Sequence, residues 1–296
     1  MKYCLGTVQF GQDYGIRGSG QPQRESVYEM LSYAIKNGIT EFDTAAAYGD
    51  AEEVLGDYIR KYPEVSKEMR IVSKLHPEAF LEVDERKWND IAVERAKRSL
   101  DILGIEHFSA YHFHRPQYLF NPKAVEALYK VKDAGLTEVI GVSTYTPEEA
   151  MKALEWDEIE AIQIPYNVFD RRLDKAGFFE KARGKGLRVY ARSSLLQGLA
   201  LMDPDHLPDR VEFAKNELLK FRKICKEYDL TPLQAAIGYV SEIQEIDFVV
   251  FGVDNITQLK EYISLEDVDI PIEAINCYKR AFESSEERLV NPVLWK

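Results

Sequence analysis

The chain alternates two kinds of hydrophobic pattern from its beginning to its end. Eight short runs are rich in apolar and β-branched residues and are bounded by turn-forming residues, which is typical of buried strands. These runs are KYCLGT (2–7), ITEFDT (39–44), RIVSKL (70–75), HFSAYHF (107–113), EVIGVS (138–143), EAIQIPY (160–166), LRVYARS (187–193) and IDFVVFG (246–252). Between them, apolar residues recur at helical spacing, so the pattern predicts a strand–helix unit repeated eight times.

The segment after residue 23 shows the helical spacing clearly. Val27, Met30, Leu31, Ala34 and Ile35 follow the i, i+3, i+4, i+7, i+8 series, so they form one apolar stripe that can pack on a sheet. Several of these segments end in a glycine that precedes the next strand: Gly38, Gly104, Gly135 and Gly186. Glycine is favoured there because the residue after a helix often adopts a left-handed conformation.

Strands that alternate with helices predict a parallel sheet, which either closes into a barrel or stays open and doubly wound. An open dinucleotide-binding sheet usually carries G-x-G-x-x-G after its first strand. The corresponding stretch here reads GTVQFGQDYG, which departs from that motif. We therefore predict an α/β fold of the (β/α)8 TIM-barrel type in a single domain, residues 1–296, with extra helical material near 205–229 and after 271.

Composition excludes several classes of partner. The chain has 296 residues and a net charge of −12, which argues against nucleic-acid binding because phosphate recognition needs clustered Lys and Arg. No apolar run approaches the roughly 18 residues that span a bilayer. The start, MKYCLGTVQFG, lacks a secretory pattern, and Cys4, Cys225 and Cys277 are far apart and odd in number. We expect a cytoplasmic protein with reduced thiols and no membrane partner.

Polar residues end three consecutive predicted strands. Asp43, Lys74 and His114 occupy these positions, and Tyr48 follows Asp43 by five residues. Because barrel enzymes gather their reactive groups at the C-terminal ends of the strands, we expect these four side chains to meet. The Lys74 ammonium would then lower the pKa of the Tyr48 phenol, and Asp43 would keep the ammonium charged. Such a phenol can give a proton to a carbonyl oxygen that His114 orients.

His112 and His114 share one face of a strand because they lie two residues apart. We favour a neutral core histidine at 112, satisfied by a neighbouring polar group; a role in fixing the tautomer of His114 is the main alternative. A metal site of the H-x-H type would need further ligands at later strand ends. The other histidines, His76, His107 and His206, do not supply them, so we expect no metal.

Six motifs in order give the chain a resemblance to the aldo-keto reductase family. They are FDTAAAYGDAEEVLG, IVSKL, YHFHRP, GVSTYT, QIPYN and FGVDNITQLKEY, between about residues 3 and 263. The resemblance implies a hydride transfer between a nicotinamide cofactor and a small carbonyl or alcohol substrate. It further implies that Tyr48 is the general acid, that Asp43 and Lys74 tune it, and that His114 positions the carbonyl.

The same resemblance implies a set of cofactor contacts. These residues are Thr7, Asp43, Ser143, Thr144, Gln163, Arg192, Gly252, Asp254, Gln258 and Glu261. Thr7 matches a position near the nicotinamide ribose, and Ser143 and Gln163 match residues that hold the carboxamide. Thr144 stands where the family often has Asn. Arg192 stands where many members stack a Tyr on the nicotinamide, and its charge would disfavour the oxidised ring.

The choice of dinucleotide stays open at this point. The family resemblance favours NADP(H). Members that bind the 2′-phosphate, however, usually carry Lys or Arg in the last of the six motifs, FGVDNITQLKEY. Here that motif offers Asp254, Gln258 and Glu261, with Lys260 as its single cation. Asp254 could instead accept a hydrogen bond from a free ribose hydroxyl, which favours NAD(H), or it could cap the following helix.

The substrate is also open. We expect its pocket to be walled by RPQYLFNP with Tyr118 and Phe120, by the segment after Arg192, and by the tail NPVLWK. Aromatic residues suit apolar aldehydes or sugars, whereas Arg115 and Arg192 suit an acidic or phosphorylated compound. A non-catalytic dinucleotide-binding sensor or scaffold subunit on the same barrel is the alternative function. The sequence does not indicate an oligomeric state.

Overall fold

Eight parallel strands form a closed barrel in the computed structural model, which describes residues 2–16, 18, 20–265 and 268–295. Each strand pairs with its neighbours in chain order, and the last pairs with the first. The strands are β1 (Lys2–Gly6), β2 (Glu41–Asp43), β3 (Arg70–Leu75), β4 (Ala110–Phe113), β5 (Ile140–Ser143), β6 (Ala161–Pro165), β7 (Arg188–Arg192) and β8 (Phe248–Gly252). The predicted barrel is therefore confirmed; β3 coincides with its predicted run, and the other seven strands are shorter than theirs.

Helices surround the barrel and are also found in its loops. They are α1 (Val8–Gly11), α2 (Arg24–Lys36), α3 (Ala51–Lys61), α4 (Pro63–Ser66), α5 (Trp88–Leu103), α6 (Pro122–Asp133), α7 (Pro147–Ala153), α8 (Arg172–Lys175), α9 (Phe178–Lys185), α10 (Lys215–Glu227), α11 (Pro232–Ser241), α12 (Ile256–Ile263), α13 (Ile272–Ala281) and α14 (Glu287–Val290). The predicted extra helical segments correspond to α10, α13 and α14. The short helices α1, α4 and α8 were not predicted.

The helical stripe and the glycine punctuation are both confirmed. The five apolar residues of α2 are buried, because the stripe faces the outside of the barrel wall. Gly38, Gly104, Gly135 and Gly186 all have positive φ angles, between 68° and 84°. Gly104 and Gly186 follow α5 and α9 in the left-handed conformation. The main core lies between the strands and these outer helices.

A second, smaller apolar cluster fills the barrel itself. It takes one residue from each of six strands: Cys4, Val72, Ala110, Ala161, Tyr190 and Val250. Successive side chains on a strand point to opposite faces, so the residue two positions further along each strand also faces inward. That next layer contains Lys74, Gln163, Arg192 and Gly252, together with Asp43 of β2 and Ser143 of β5; these residues lie between the middle and the C-terminal end of their strands. The period of two thus brings most of the predicted site residues together.

Acidic and hydroxyl groups close the opposite end of the barrel. Glu41 is 2% exposed and accepts hydrogen bonds from the hydroxyls of Ser109 (2.7 Å) and Tyr190 (2.8 Å). Arg70 approaches the same carboxylate at 3.3 Å. This end is occupied by satisfied side chains, so the C-terminal mouth is the open end. Among the described residues, no helix is both long and apolar enough to cross a membrane.

Candidate active site

Asp43 and Lys74 form a buried ion pair below the mouth of the barrel. The Nζ of Lys74 lies 2.7 and 2.9 Å from the two carboxylate oxygens of Asp43 and donates to the carbonyl oxygen of Thr44 at 2.8 Å. Lys74 is 0% exposed and Asp43 is 4% exposed. Burial acts to lower the pKa of the Lys74 ammonium, but the charges of Asp43 and Tyr48 outweigh burial and raise that pKa. Lys74 is therefore charged at neutral pH.

Tyr48 lies over this pair, in the turn between β2 and α3. The Nζ of Lys74 is 4.8 Å from the centre of its ring, and the ring meets that of His114 edge to face, with centroids 5.6 Å apart. Loss of water raises the pKa of the phenol above its usual value, although the Lys74 charge acts in the opposite direction. The expectation that Lys74 would lower this pKa overall is therefore wrong, because desolvation is the larger effect.

His114 is neutral at physiological pH. Burial, followed by the charges of Lys74 and Arg192, lowers its pKa to about 3. Its Nδ1 is buried without a hydrogen-bond partner among the described residues, whereas Nε2 is not buried in this way. The ring lines the cavity at the mouth, so Nε2 is the nitrogen available to a bound molecule. A neutral imidazole with its proton on Nε2 can donate one hydrogen bond there.

His112 lies one layer deeper and is 0% exposed. Burial and the nearby charge of Lys74 lower its pKa well below the usual value, which agrees with a neutral core histidine. The expected polar neighbour is absent, since neither ring nitrogen has a hydrogen-bond partner among the described residues. Its ring packs edge to face on Tyr190 instead. No group of three or more His, Cys, Asp or Glu in the described part of the chain is placed to hold a metal ion.

A cavity of about 700 Å³ opens at the C-terminal mouth, a volume within the range of about 300–1,000 Å³ of small-molecule and cofactor sites. Eleven predicted site residues line it: Thr7, Asp43, Tyr48, His114, Ser143, Gln163, Arg192, Gly252, Asp254, Gln258 and Glu261. Lys74 and Thr144 are outside this set because both are fully buried behind the wall. The strand ends thus bring the predicted residues to one cavity, and Lys74 and Thr144 lie behind its wall.

Gln163 and Ser143 connect the cavity wall to the ion pair. The side-chain amide of Gln163 donates to Oδ1 of Asp43 at 2.7 Å, and the hydroxyl of Ser143 is 3.4 Å from Oε1 of Gln163. Thr7 donates both its backbone N–H (2.9 Å) and its hydroxyl (3.1 Å) to the carbonyl oxygen of Asp43. Thr144 contacts the carbonyl oxygen of Gln163 and so supports the wall from behind. The orientation of each polar group is fixed by another.

Arg192 extends across the ends of β5 and β7. Its Nη2 donates to the carbonyl oxygen of Thr144 at 2.9 Å, and its Nη1 donates to the hydroxyl of Ser193 at 3.1 Å. The guanidinium carbon lies 4.7 Å from the centre of the Tyr145 ring. These three contacts hold a half-buried cation in the wall of the cavity.

The residues that follow β8 carry carboxylate and amide side chains. Asn255 caps α12 by accepting from the backbone N–H of Gln258, so the alternative that Asp254 is the capping residue is wrong. The side chain of Gln258 instead accepts from the backbone N–H of Asp254 and donates to its carboxylate. Glu261 is exposed at the same rim. Lys260 points elsewhere, with Nζ 5.4 Å from the centre of the Tyr33 ring.

The turn after Arg192 lines the cavity with residues that the sequence did not single out. Ser193, Leu196 and Gln197 have positive φ angles of 63°, 48° and 55°, followed by Gly198 at 93°. Left-handed non-glycine residues are uncommon and concentrate at functional sites. The hydroxyl of Ser194 is buried in this turn without a partner among the described residues. Only the Gln-Gly pair in SSLLQG signalled a turn in the sequence.

The expected walls of the pocket are partly wrong. Tyr118 packs against Phe80 and Phe113, and Phe120 is 58% exposed, so neither lines the cavity. The hydroxyl of Tyr118 donates to the carbonyl oxygen of Pro77, which turns this loop away from the mouth. The segment after Arg192 and the tail at 290–293 do line it, and the loop after α1 adds residues 14–16.

The fold and this site define a barrel oxidoreductase, and comparison with known proteins agrees. The profile described as "Aldo/keto reductase family" matches residues 2–281, so the chain belongs to this family. It is similar to the NADH-specific methylglyoxal reductase of Escherichia coli K12, at 24% identity over 295 residues, which cover 90% of each chain. It is also similar to the glyoxal reductase of Bacillus subtilis 168, at 26% identity over 264 residues, covering 88% of this chain and 87% of that protein.

A solved structure supports the fold independently. The holo form of an aldo-keto reductase from Bacillus halodurans aligns with a TM-score of 0.76 at 19% identity, covering 95% of this chain and 91% of that one. At that identity the likeness concerns the fold. Family membership and the curated relatives make this chain a nicotinamide-dependent aldo-keto reductase that acts on carbonyl compounds.

Proposed function

We propose that the protein reduces small carbonyl compounds with Tyr48 as the proton donor. The observation that carries this proposal is the convergence of Tyr48, the buried Asp43–Lys74 pair and a neutral His114 at one cavity. A reduced nicotinamide, when bound, supplies a hydride to the carbonyl carbon. The chain must then hold the carbonyl oxygen and give it a proton.

Each residue has a separate part in that proton transfer. The Tyr48 hydroxyl and the Nε2–H of His114 donate hydrogen bonds to the carbonyl oxygen and fix its position. As negative charge develops on this oxygen, Tyr48 releases its proton to it. Its raised pKa keeps the proton on the phenol until that moment. Lys74 then stabilises the phenolate, and Asp43 keeps Lys74 charged and in place.

The residues at the mouth fit a nicotinamide dinucleotide. Ser143 and Gln163 present a hydroxyl and an amide that match the donor and acceptor groups of a carboxamide. The partnerless hydroxyl of Ser194 and the left-handed turn around it suit a phosphate, because such turns direct backbone N–H groups toward anions. Gly252 leaves room for the side-chain amide of Gln9, which would lie 2.3 Å from an added Cβ. Thr7 and Asp43 complete this wall.

We further propose that NADH is preferred to NADPH. The described residues that line the β8 end of the cavity include Asp254 and Glu261, and Lys260 is directed to Tyr33 instead. A carboxylate repels a 2′-phosphate but can accept a hydrogen bond from a free ribose hydroxyl. One similar protein is described as an NADH-specific methylglyoxal reductase, which supports the same choice.

The cofactor proposal is tested by titrating the protein with each dinucleotide. We expect a Kd for NADH at least tenfold lower than for NADPH, and we expect Glu261→Lys to narrow this ratio by removing one repulsive charge and adding an attractive one. Glu283→Lys, which makes the same charge change outside the mouth, is the control. Equal or tighter binding of NADPH by the unmodified protein would reject the preference.

The catalytic proposal is tested by Tyr48→Phe, with methylglyoxal and glyoxal as first substrates because two similar proteins are named for their reduction. Loss of the acid should lower kcat by about 10²- to 10⁴-fold, while the Kd of the dinucleotide stays within about twofold. Tyr14→Phe is the control because Tyr14 lines the same cavity on the β1 loop. Unchanged turnover in Tyr48→Phe would reject the mechanism, and dinucleotide binding without turnover of any carbonyl would favour the sensor alternative.

A further inference from the structure

Arg192 is the one cation among the described residues that line the cavity, and it has no ionic partner. The charged side chains in this lining are Asp43, Arg192, Asp254 and Glu261. Asp43 is neutralised by Lys74, but no carboxylate of the described chain lies within 4.0 Å of Arg192. Charged groups that are shielded from water are usually paired. An unpaired guanidinium in a binding cavity is therefore a candidate partner for an anionic ligand.

The guanidinium retains hydrogen-bond donors for such a ligand. Arginine carries five N–H donors, and the protein engages two of them, through the carbonyl oxygen of Thr144 and the hydroxyl of Ser193. None of its nitrogens is buried without a partner, so its unused donors are accessible, and the residue lines the cavity. Packing on the Tyr145 ring fixes the plane of the group. The fork is preorganised, which reduces the entropy lost when it binds a ligand.

Arg192 also lies near the reacting centre. Its positive charge acts on the ionisation of both Tyr48 and His114, the two groups proposed to bind the carbonyl oxygen. All three residues line the same cavity of about 700 Å³, so a ligand that contacts all three carries its anionic group and its carbonyl within the length of that cavity. Asp254 and Glu261 also line the cavity, beyond the end of the neighbouring strand β8; both repel an anion, so Arg192 is the favourable contact for one.

The family resemblance implied that Arg192 contacts the cofactor, at a position where many members stack a Tyr on the nicotinamide, but a charged group with unused donors differs from a stacked ring. We propose instead that Arg192 binds a carboxylate on the substrate, so that the preferred substrates of this reductase are short oxo acids. This inference rests on the proposed carbonyl reduction and adds its substrate class. A planar carboxylate matches the guanidinium fork and carries the single charge that one arginine can balance. A phosphate ester carries up to two charges, and the described lining provides no second cation for it.

The experiment compares 4-oxobutanoate with its methyl ester, which lacks the negative charge and carries one additional methyl group. The quantity measured is the ratio of kcat/KM for the acid to that for the ester, in the unmodified protein, Arg192→Gln and Arg192→Lys, with NADH saturating. We expect Arg192→Gln to lower this ratio at least tenfold, which corresponds to about 1.4 kcal/mol, mainly through a higher KM for the acid. Arg192→Lys should retain part of the preference because it keeps the charge without the fork.

Arg115→Gln is the matched control, because Arg115 is an exposed cation beside His114 that lies outside the cavity lining. It should leave the ratio unchanged. A ratio that stays the same in Arg192→Gln would overturn the proposal. So would an equal loss on both substrates together with a weaker Kd for NADH, because Arg192 would then belong to the dinucleotide site. If the unmodified protein binds no dinucleotide and reduces neither compound, the proposed function itself fails.

Discussion

Single side chains in the site depend on one another because water does not reach them. Lys74 is 0% exposed, and its ammonium donates hydrogen bonds to the carboxylate of Asp43 and to the carbonyl oxygen of Thr44. Gln163 donates to the same carboxylate. Removing one partner of such a buried pair leaves an uncompensated charge, which is far more destabilising than the pair is stabilising.

Substitution of this pair should therefore be strongly non-additive. We expect Lys74→Met alone to lower the free energy of unfolding by about 3–5 kcal/mol, because Asp43 is left charged and buried. Asp43→Asn combined with Lys74→Met should lower it by less than the sum of the two single changes. Urea denaturation of the four proteins gives the coupling energy. An additive result would mean that water or another group replaces the missing charge.

The loss of water around Tyr48 also explains why the direction of its pKa shift could not be predicted from the sequence. The sequence indicated that Lys74 would be adjacent, which is correct, and its charge does favour the phenolate. How much water the hydroxyl loses depends on the chain segments that meet at the mouth. Desolvation is the larger effect, and this quantity has no counterpart in the local sequence.

Between elements, the position of Tyr48 depends on a contact of two glycines. A Cβ on Gly11, at the end of α1, would lie 1.9 Å from the carbonyl oxygen of Tyr48, and one on Gly49 would lie 2.0 Å from the carbonyl oxygen of Gly11. The β1 and β2 loops therefore touch through their backbones. Only residues without a side chain permit this approach.

Gly11→Ala should separate these loops and displace Tyr48, the proposed proton donor. We expect a loss of about 1–3 kcal/mol of stability and up to about 100-fold in kcat, since misplacement by about 1 Å can have that effect. Gly184→Ala in α9 is the control, because nothing lies within 4 Å of its added Cβ. It should be neutral or stabilising by up to about 1 kcal/mol. Normal kcat in Gly11→Ala would show that Tyr48 does not depend on this contact.

At the scale of the whole molecule, two buried neutral histidines make stability depend on pH. Burial lowers the pKa of His114 from 6.5 to about 3 and lowers that of His112 well below its usual value. Between about pH 6.5 and 3 the unfolded chain binds protons at these positions that the folded chain does not. Their contribution to stability is thus complete above pH 6.5 and is lost as the pH falls.

The unmodified protein should lose up to about 1.4 kcal/mol per pH unit for each of these histidines below pH 6.5. His112→Leu removes one of them, so its free energy of unfolding should fall less steeply between pH 7 and pH 5. His206→Gln is the control, because His206 is exposed and pairs with Asp203 at the surface. An unchanged slope in His112→Leu would indicate that His112 is protonated in the folded state.

The sequence alone determined the barrel through local periodicity, and part of its mouth through the polar residues that end the strands. Strand runs and helical stripes recur along the chain, and Asp43, Lys74 and His114 end consecutive strands, whereas Ser143 and Gln163 were expected from the family resemblance. Parallel register then brings those ends together, whichever loops connect them. Family motifs added expected roles to the same positions.

The tertiary structure decided what lies between distant segments. It showed that Lys260 packs on Tyr33 while Asp254 and Glu261 line the cavity. Within the part of the chain that the structure describes, it also showed that His112 has no hydrogen-bond partner and that Arg192 has no carboxylate within 4.0 Å. Desolvation and charge pairing depend on atoms brought together from different strands and loops. A local pattern specifies which way a side chain points, but only the folded chain specifies what it meets there.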